Sequence, residues 1–388
     1  ISFITTKKNS FKDRWSALLI VNSILMIISC IFQTLNYFNK DLYGWNISLT
    51  WIGLLNWIPF FYLFIATKNL LRTSTQRLKA SICLVSGTIP VLVAGLGQYY
   101  LNWEGPFSFL NGTIIWYLKP IEPHLGLSSI FSNQNYAGTW LSTIWPFSLS
   151  FIFLNKRFKY KQTFAIFLLI ISTLSVILTT SRNALIGTLF SLPIILGIKS
   201  VFFIIFIIIT LISIFLLGKY IPFASQVIEF LISLFPIQFI NKFNDINLLN
   251  IFEFRRINLW SNTIKLIASR PIFGLGAAFF PILYKTYYDP VNYTEQHTHN
   301  IFLELASGYG FTVSIITLIF IFYLIFSTFS YIKTNQEMSF SDQIINKSWL
   351  ASTFILVLSQ MNDVTYYDGR ISIIFWILLS GSRNIIIL

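Results

Sequence analysis

Two of the chain's three histidines, His297 and His299, lie two residues apart at the start of an apolar run. A helix beginning there would hold His299 at the positive end of its dipole, which favours the neutral imidazole. The neutral imidazole is the form that a general base needs near neutral pH. Glu304, in the first turn, supplies a carboxylate that can orient an imidazole ring. The segment 295–310 therefore predicts a general base at His299, with His297 as the second candidate.

Two other interpretations fit the same segment. The His-x-His pair, together with Glu295 or Glu304, supplies the ligand types of a metal site. No third histidine or cluster of aspartates lies nearby in the sequence, however, so neither a metal nor a cofactor is predicted. The segment is also compatible with a polar helix cap that has no chemical role.

An arginine, Arg182, lies in a short polar turn, 179–183, between two apolar runs. A charged side chain at this depth is costly unless it snorkels to the membrane surface, pairs with another group or lines a polar cavity. Snorkelling is a purely structural role, whereas a polar cavity indicates a binding site. The turn alone favours neither of these two interpretations.

Two further arginines, Arg255 and Arg256, lie in a segment, 253–269, that is predicted to form an amphipathic helix. Its apolar stripe at helical spacing consists of Ile257, Trp260, Ile264 and Ile267. Arg256 lies four residues before Trp260, on the same side of the helix. A proline and two glycines then end the helix and force a turn. An interfacial helix on the membrane surface, with snorkelling arginines, is the alternative interpretation.

Polar side chains also begin one of the predicted membrane spans. The segment 131–138 contains a cluster of amides, in which Asn135 precedes Tyr136. Buried amides must be hydrogen-bonded, so this end of the span is expected to pack against protein or a wet cavity rather than lipid. Two acids near the last span, Asp363 and Asp368, fit a solvated turn.

Membrane helices must position all of these residues. The chain has 388 residues, of which 55% are hydrophobic and 11% are charged, whereas a soluble domain has about 25% charged residues. The predicted fold class is an all-α polytopic membrane protein with about ten transmembrane helices, within a range of about 9–12. The predicted spans are 15–35, 45–66, 78–99, 128–154, 161–180, 183–198, 200–217, 301–330, 348–361 and 370–387.

The chain 1–388 is predicted to be a single integral membrane domain. It has one large hydrophilic loop, 218–300, that contains short amphipathic helices. When the N-terminus is placed in the cytoplasm, most basic residues outside this loop fall on the cytoplasmic side, as the positive-inside rule requires. Both termini are therefore predicted to be cytoplasmic and the large loop to lie on the outer side. The net charge of +13 then reflects topology, and no nucleic-acid partner is predicted.

Taken together and in their order along the chain, the polar segments described above resemble those of the O-antigen ligase and polymerase superfamily of bacterial membrane glycosyltransferases. The resemblance covers about residues 128–330, and the first 127 residues match only in general character. The motifs that carry it are Asn135-Tyr136, Ser181-Arg182-Asn-Ala-Leu185, Arg256-x-x-x-Trp260, Pro271-x-x-Gly274-x-Gly276, and His299-Asn300-x-x-Leu303-Glu304 followed by Gly310. The last of these motifs is the most specific.

The resemblance implies a metal-independent transferase in the bilayer of the cell inner membrane, with the large loop in the periplasm. The donor would be a glycan linked to undecaprenyl diphosphate. The acceptor would be a hydroxyl group on a lipid A core, for a ligase, or on another lipid-linked glycan, for a polymerase. The leaving diphosphate is anionic, and guanidinium groups bind phosphate through paired hydrogen bonds. Arg182 and Arg256, followed by Arg255, are therefore expected to stabilise it.

His299 would then be the general base, with Asn300 and Glu304 orienting it. We expect Arg182, Arg256 and His299, the predicted catalytic residues, to converge on one phosphate-sized cavity near the outer leaflet. The predicted substrate-binding residues are Arg255, His297, Asn300, Glu304, Asn135, Tyr136 and Trp260.

Two functions of other classes remain compatible with the sequence. Some similar cyanobacterial proteins have been given a role in inorganic-carbon uptake, which makes a membrane transporter one alternative. A transporter should show polar sites at the membrane midplane and repeated, broken helices, and no repeat is visible. A non-catalytic scaffold for envelope assembly is the other alternative.

Overall fold

The computed structural model describes residues 13–37, 43–122, 125–154, 159–217, 225–227, 229, 255–289, 295–335 and 337–387. Most of the predicted loop between 218 and 254 therefore lies outside the described residues. The chain divides into two compact units. The first unit takes its described residues from 1–76, 249–335 and 357–388, and the second takes them from 77–248 and 336–356. The prediction of a single membrane domain stays a prediction.

Helices make up most of the first unit. Its helices are α1 (Arg14–Tyr37), α2 (Ser48–Ile52), α3 (Ile58–Ala66), α9 (Arg255–Ala268), α10 (Phe280–Tyr287), α11 (Ile301–Tyr309), α12 (Phe311–Thr334) and α14 (Gly369–Ile387). Short 3₁₀ turns at Gly53–Asn56, Thr67–Asn69 and Thr365–Tyr367 connect some of them.

The second unit is also helical and has one small hairpin. Its elements are α4 (Ser74–Tyr100), β1 (Phe107–Phe109), β2 (Ile114–Trp116), α5 (Gln134–Leu154), α6 (Lys159–Leu178), α7 (Arg182–Leu196) and α8 (Lys199–Leu217). The first part of α13 (Phe340–Asn362) also belongs to this unit, and its last turns belong to the first. The antiparallel hairpin, with Phe107 opposite Trp116, was not predicted.

Seven helical segments among the described residues are long and apolar enough to cross a membrane. They are Arg14–Tyr37, Ser48–Asn69, Ser74–Tyr100, Gln134–Leu154, Lys159–Leu178, Phe311–Thr334 and Gly369–Ile387. The mostly helical, multi-pass membrane class is therefore confirmed. The other three predicted spans fall on α7, α8 and α13, and the count of about ten stays a prediction.

The predicted span 301–330 is not one continuous helix. Gly310, at φ 98°, separates α11 from α12. A side chain on Gly310 would collide with the backbone of Ile272, and positive φ is costly for residues other than glycine. The break follows from a close approach between distant backbones, which hydropathy does not report. As a result α11 is a separate short helix at the head of a membrane span.

The amphipathic helix predicted at 253–269 is confirmed as α9, but its predicted apolar stripe is partly wrong. Leu259 and Ile267 are buried at 1% and 0% exposure, whereas Ile257 and Ile264 are 42% and 48% exposed. Leu259 and Leu266 pack in an aromatic-rich core with residues of α1 and α10. The buried face therefore lies next to the predicted one, because α9 packs on protein at this side.

In the second unit, α5 and α7 pack closely at Gly138. A side chain there would meet Ser181 Cβ at 2.8 Å and Ala184 Cβ at 3.0 Å. The start of α5 is capped by Asn133, whose Oδ1 accepts hydrogen bonds from the backbone N–H groups of Asn135 and Tyr136 at 2.9 and 3.2 Å. The prediction that this amide cluster packs against protein or a wet cavity stays a prediction.

Candidate functional site

The turn after α9 and the break before α12 hold the histidine segment in place. Leu275 N–H donates to Ser307 O at 2.7 Å, and Phe311 N–H donates to Pro271 O at 2.8 Å. Gly274 has φ 70°, and a side chain on it would lie 2.7 Å from the backbone nitrogens of Tyr309 and Gly310. Gly274 and Gly310 are therefore required because two stretches of backbone meet there.

His299 lies between two carboxylates. Its Nδ1 is 2.8 Å from Asp363 Oδ1, and its Nε2 is 3.1 Å from Glu295 Oε2. A neutral imidazole has a single N–H donor and can satisfy only one of these oxygens, whereas an imidazolium satisfies both. His299 also has φ 52°, an unusual conformation that costs about 1–3 kcal/mol and is characteristic of functional sites.

The charge state of His299 follows from these neighbours. The hydrogen bond to Asp363 raises the pKa of His299 above its ordinary 6.5, although burial and the nearby Arg256 oppose the rise. The neighbouring carboxylates therefore act against the helix dipole, which was expected to keep this imidazole neutral, and the role of His299 as general base stays a prediction. With both ring nitrogens directed at carboxylates, the geometry favours the imidazolium form.

Arg256 and Trp260 approach this cluster from α9. The Arg256 guanidinium donates a short hydrogen bond to the backbone O of Asn362, next to Asp363. One turn later, Trp260 Nε1 donates to Thr298 O at 3.0 Å. The prediction that these two side chains lie on the same side of the helix is confirmed. Arg256 and His299 therefore both bond to residues 362–363, and with Glu295 they form the Arg256–His299 cluster.

Asn300 holds the start of α11. Its Oδ1 accepts from the N–H groups of Phe302 and Leu303 at 3.0 and 3.2 Å, and its Nδ2 donates to Met361 O at 3.0 Å. The amide is therefore the N-cap of the helix and also a link to the end of α13. It fixes the backbone of the neighbouring histidine rather than contacting the imidazole ring.

Glu304 faces His297 and not His299, in contrast to the prediction. Its Oε1 lies 3.5 Å from His297 Nδ1 and accepts from Tyr367 OH at 3.2 Å, and its Oε2 accepts from Thr298 N–H at 3.0 Å. Burial raises the pKa of Glu304, but the interactions with His297 and Thr298 outweigh it, and the pKa falls below 4.5. Glu304 is thus a buried, ionised carboxylate.

A cavity of about 300 Å³ lies beside Glu304 within the first unit. The aromatic residues that line it include Trp57, Tyr309 and Tyr367, and its polar lining includes His297 and Glu304. The His297 ring also stacks on the Tyr367 ring, with centroids 5.0 Å apart. The histidine segment therefore has two sides, one at the Arg256–His299 cluster and the other at this cavity.

The other predicted site residues lie at the starts of α5, α7 and α9. Arg182 is the first residue of α7 in the second unit, and its side chain is exposed. Asn135 and Tyr136, at the start of α5 in the same unit, are half-buried. Arg255 begins α9, and its side chain lies outside the described part of the structure. The predicted convergence of Arg182 with Arg256 and His299 stays a prediction.

Three site residues were missed or misassigned from the sequence. Asp363 was expected in a solvated turn, yet it is the partner of His299, 64 positions away. Glu295 was considered only as a metal ligand, and Tyr367 was not considered. Asp368, the second acid of that turn, pairs with Arg370 at 2.5 Å. Sequence spacing carried no signal for a pairing over 64 positions, whereas Glu295 lies only four residues before His299.

A family model described as O-antigen ligase matches residues 165–321. The matched segment contains Arg182, Arg256, His297, His299 and Glu304. Comparison with curated proteins gave no match. Residues 165–321 therefore confirm that the chain resembles the O-antigen ligase and polymerase superfamily.

Proposed function

We propose that the protein transfers a glycan from undecaprenyl diphosphate to an acceptor hydroxyl at the outer face of the inner membrane. The observation that carries this proposal is that Arg256 and His299 both bond to residues 362–363, and that both lie on the part of the chain that matches the O-antigen ligase family. Preorganised cations stabilise the charge that develops on a leaving group in a water-poor site. A diphosphate is a leaving group of that kind.

In the proposed reaction the acceptor oxygen attacks the anomeric carbon of the donor sugar. The bond from that carbon to the diphosphate oxygen breaks, and undecaprenyl diphosphate leaves with the electron pair. Arg256 binds the diphosphate, and the imidazolium of His299 adds a second positive charge. Arg182 and Arg255 are proposed as further phosphate ligands on the strength of their sequence motifs and the chemistry of guanidinium groups.

The other predicted residues support these groups. Trp260 and Asn300 fix the backbone of residues 298–303, which carries His299. Asn135 and Tyr136 are proposed as substrate contacts from the family motif. The reaction as proposed uses no metal and no cofactor, because arginine and histidine side chains supply the positive charge.

The test uses the purified protein in lipid nanodiscs with a radiolabelled repeat unit on undecaprenyl diphosphate. Label that moves onto added lipid A core supports a ligase, whereas longer lipid-linked chains without that acceptor support a polymerase. Arg256→Ala should lower the transfer rate about 10²–10³-fold. Lys265→Gln, an exposed change on the same helix, is the matched control and should retain the wild-type rate. A donor that stays intact with both acceptors would contradict the proposal.

A further inference from the structure

The cavity beside Glu304 is suited to an uncharged polar ligand. Its described lining includes the carboxylate of Glu304 and the polar side chains of Asn56 and Gln296, but no lysine or arginine. A diphosphate would be repelled by the carboxylate and would find no cation to bind. A volume of about 300 Å³ is at the lower end of the range for ligand pockets, which fits a single sugar ring.

Tyr309 supplies an unused hydrogen-bonding group in this lining. Its side chain is 2% exposed, and its hydroxyl has no hydrogen-bond partner among the described residues. Burial raises the pKa of Tyr309 well above its ordinary value, so the hydroxyl stays protonated. A buried hydroxyl without a partner costs free energy. A ligand hydroxyl in the cavity would satisfy it.

Aromatic rings complete the site. Trp57 lines the cavity and is held by stacking on Tyr366, with ring centroids 4.4 Å apart. Sugar rings present C–H groups on their faces and hydroxyls at their edges. Aromatic faces pack against the former, and amide, carboxylate and hydroxyl groups bind the latter. The combination of aromatic rings with amide, hydroxyl and carboxylate groups therefore points to a carbohydrate.

His297 lines this cavity, and the carboxylate of Glu304 lies beside its ring. The 3.5 Å between its Nδ1 and Glu304 Oε1 is slightly longer than a hydrogen bond. Catalytic hydrogen bonds are often long in ligand-free structures and shorten in the complex. When Nδ1–H donates to Glu304, Nε2 carries the lone pair. Among the described residues nothing donates to Nε2.

We propose that this cavity binds a sugar ring of the acceptor and that His297, oriented by Glu304, takes the proton of the attacking hydroxyl. This inference rests on the transfer reaction proposed above. It assigns the base to His297, because both nitrogens of His299 are directed at carboxylates. The two histidines then have different roles, since His299 carries charge for the leaving group and His297 serves the acceptor.

This proton transfer accounts for the hydroxyl proton that the proposed reaction must remove. As the acceptor oxygen bonds to the anomeric carbon, the O–H bond breaks and its proton bonds to His297 Nε2. The resulting imidazolium lies beside the ionised Glu304, which stabilises it. Undecaprenyl diphosphate leaves as an anion, and His297 later releases its proton to water.

The experiment compares three variants in the transfer assay in nanodiscs, with lipid A core or the lipid-linked repeat unit as acceptor. His297→Gln should lower kcat about 10²–10⁴-fold, the usual contribution of a general base. Tyr309→Phe should raise the acceptor KM about 2–12-fold, as expected for one lost hydrogen bond. Lys265→Gln should leave both constants unchanged.

Thermal unfolding separates binding from a structural role for Tyr309. Removal of an unpartnered hydroxyl should leave the unfolding temperature of Tyr309→Phe unchanged or raise it. A lower unfolding temperature with an unchanged KM would overturn the binding role. A wild-type rate in His297→Gln would overturn the base assignment, provided that the wild type transfers glycan.

A second measurement tests the cavity even if the transfer reaction fails. A diazirine-bearing alkyl glucoside should photolabel the peptide around Tyr309 or Gly276–Pro281 in the wild-type protein. Labelling elsewhere would overturn the sugar site. Equal labelling in Gly308→Leu would do the same, because Gly308 lines the cavity and a Cβ there makes only an ordinary contact, 3.9 Å from Ala277 Cα. Intact donor in the wild type, together with labelling of the cavity, would contradict only the proposed transfer.

Discussion

His297 and His299 are separated by one residue, yet they face different surroundings. His299 is held between Asp363 and Glu295 and lies beside Arg256. His297 stacks on an aromatic ring, has one carboxylate at 3.5 Å and lines a cavity. Backbone geometry produces the difference, because the chain changes direction at the positive φ of His299.

This comparison shows that the surrounding groups determine the chemical role of two identical side chains. Two carboxylates stabilise the imidazolium form, which suits an imidazole that must balance an anion. One carboxylate fixes the tautomer of an imidazole and leaves the other nitrogen available, which suits a base. Changing the carboxylates one at a time should therefore affect the two histidines in different ways.

The largest contrast is expected between two matched changes, Glu304→Gln and Glu295→Gln. Glu304→Gln should lower kcat for glycan transfer about 10²–10⁴-fold, because His297 loses the charge that stabilises its imidazolium. Glu295→Gln leaves His299 its bond to Asp363 and should cost much less. The transfer assay in nanodiscs measures both. A larger loss in Glu295→Gln would reverse the roles of the two histidines.

A moderate effect is expected for Asp363→Asn. The change removes the interaction that contributes most to the raised pKa of His299, whereas burial and Arg256 continue to lower it. The pKa of His299 should therefore fall in NMR titrations of protein with labelled histidines. The free energy of unfolding should also fall by about 1.5–3 kcal/mol, the usual contribution of a hydrogen bond to a charged group.

His297 supplies the internal control for that measurement. Its ring is not bonded to Asp363, so its ring chemical shifts at a fixed pH should be unchanged in Asp363→Asn. An equal displacement of both histidine signals would show that the substitution disturbs the whole segment.

The smallest effect is a pH dependence of stability. Because the pKa of His299 is higher in the folded than in the unfolded state, protonation of this histidine stabilises the folded protein below about pH 6.5. That stabilisation is lost as the pH rises through the folded-state pKa of His299. Wild-type protein should therefore unfold at lower temperature as the pH increases through this range, and His299→Gln should lack that component. Parallel pH profiles for the two proteins would argue against a charged His299.

Much of this arrangement could be predicted from the sequence. Hydropathy identified the membrane class, and the 3.6-residue period located α9 and placed Arg256 and Trp260 on one side. The glycines of Pro271-x-x-Gly274-x-Gly276 indicated a turn. These signals are local, and local signals determine helices and turns.

The remainder depends on contacts between distant segments. The break at Gly310 follows from the approach of Ile272, and the buried face of α9 follows from its packing partners. The partners of the histidines, Asp363 and Tyr367, come from the end of α13 and the turn after it. No periodicity or spacing rule relates residues more than 60 positions apart, so acid–base roles could not be assigned before the pairs were known.

The role of His297 as the base can be tested most directly by chemical rescue. His297→Ala and His299→Ala would each be assayed for glycan transfer, in nanodiscs, with increasing concentrations of imidazole. A small base can occupy the space left beside Glu304 and accept the acceptor's proton, so transfer by His297→Ala should recover in proportion to neutral imidazole. Any recovery of His299→Ala should instead follow the concentration of imidazolium and fall as the pH rises, because the missing group is a charge. Recovery of His299→Ala in proportion to neutral imidazole, without recovery of His297→Ala, would contradict the assignment and make His299 the base.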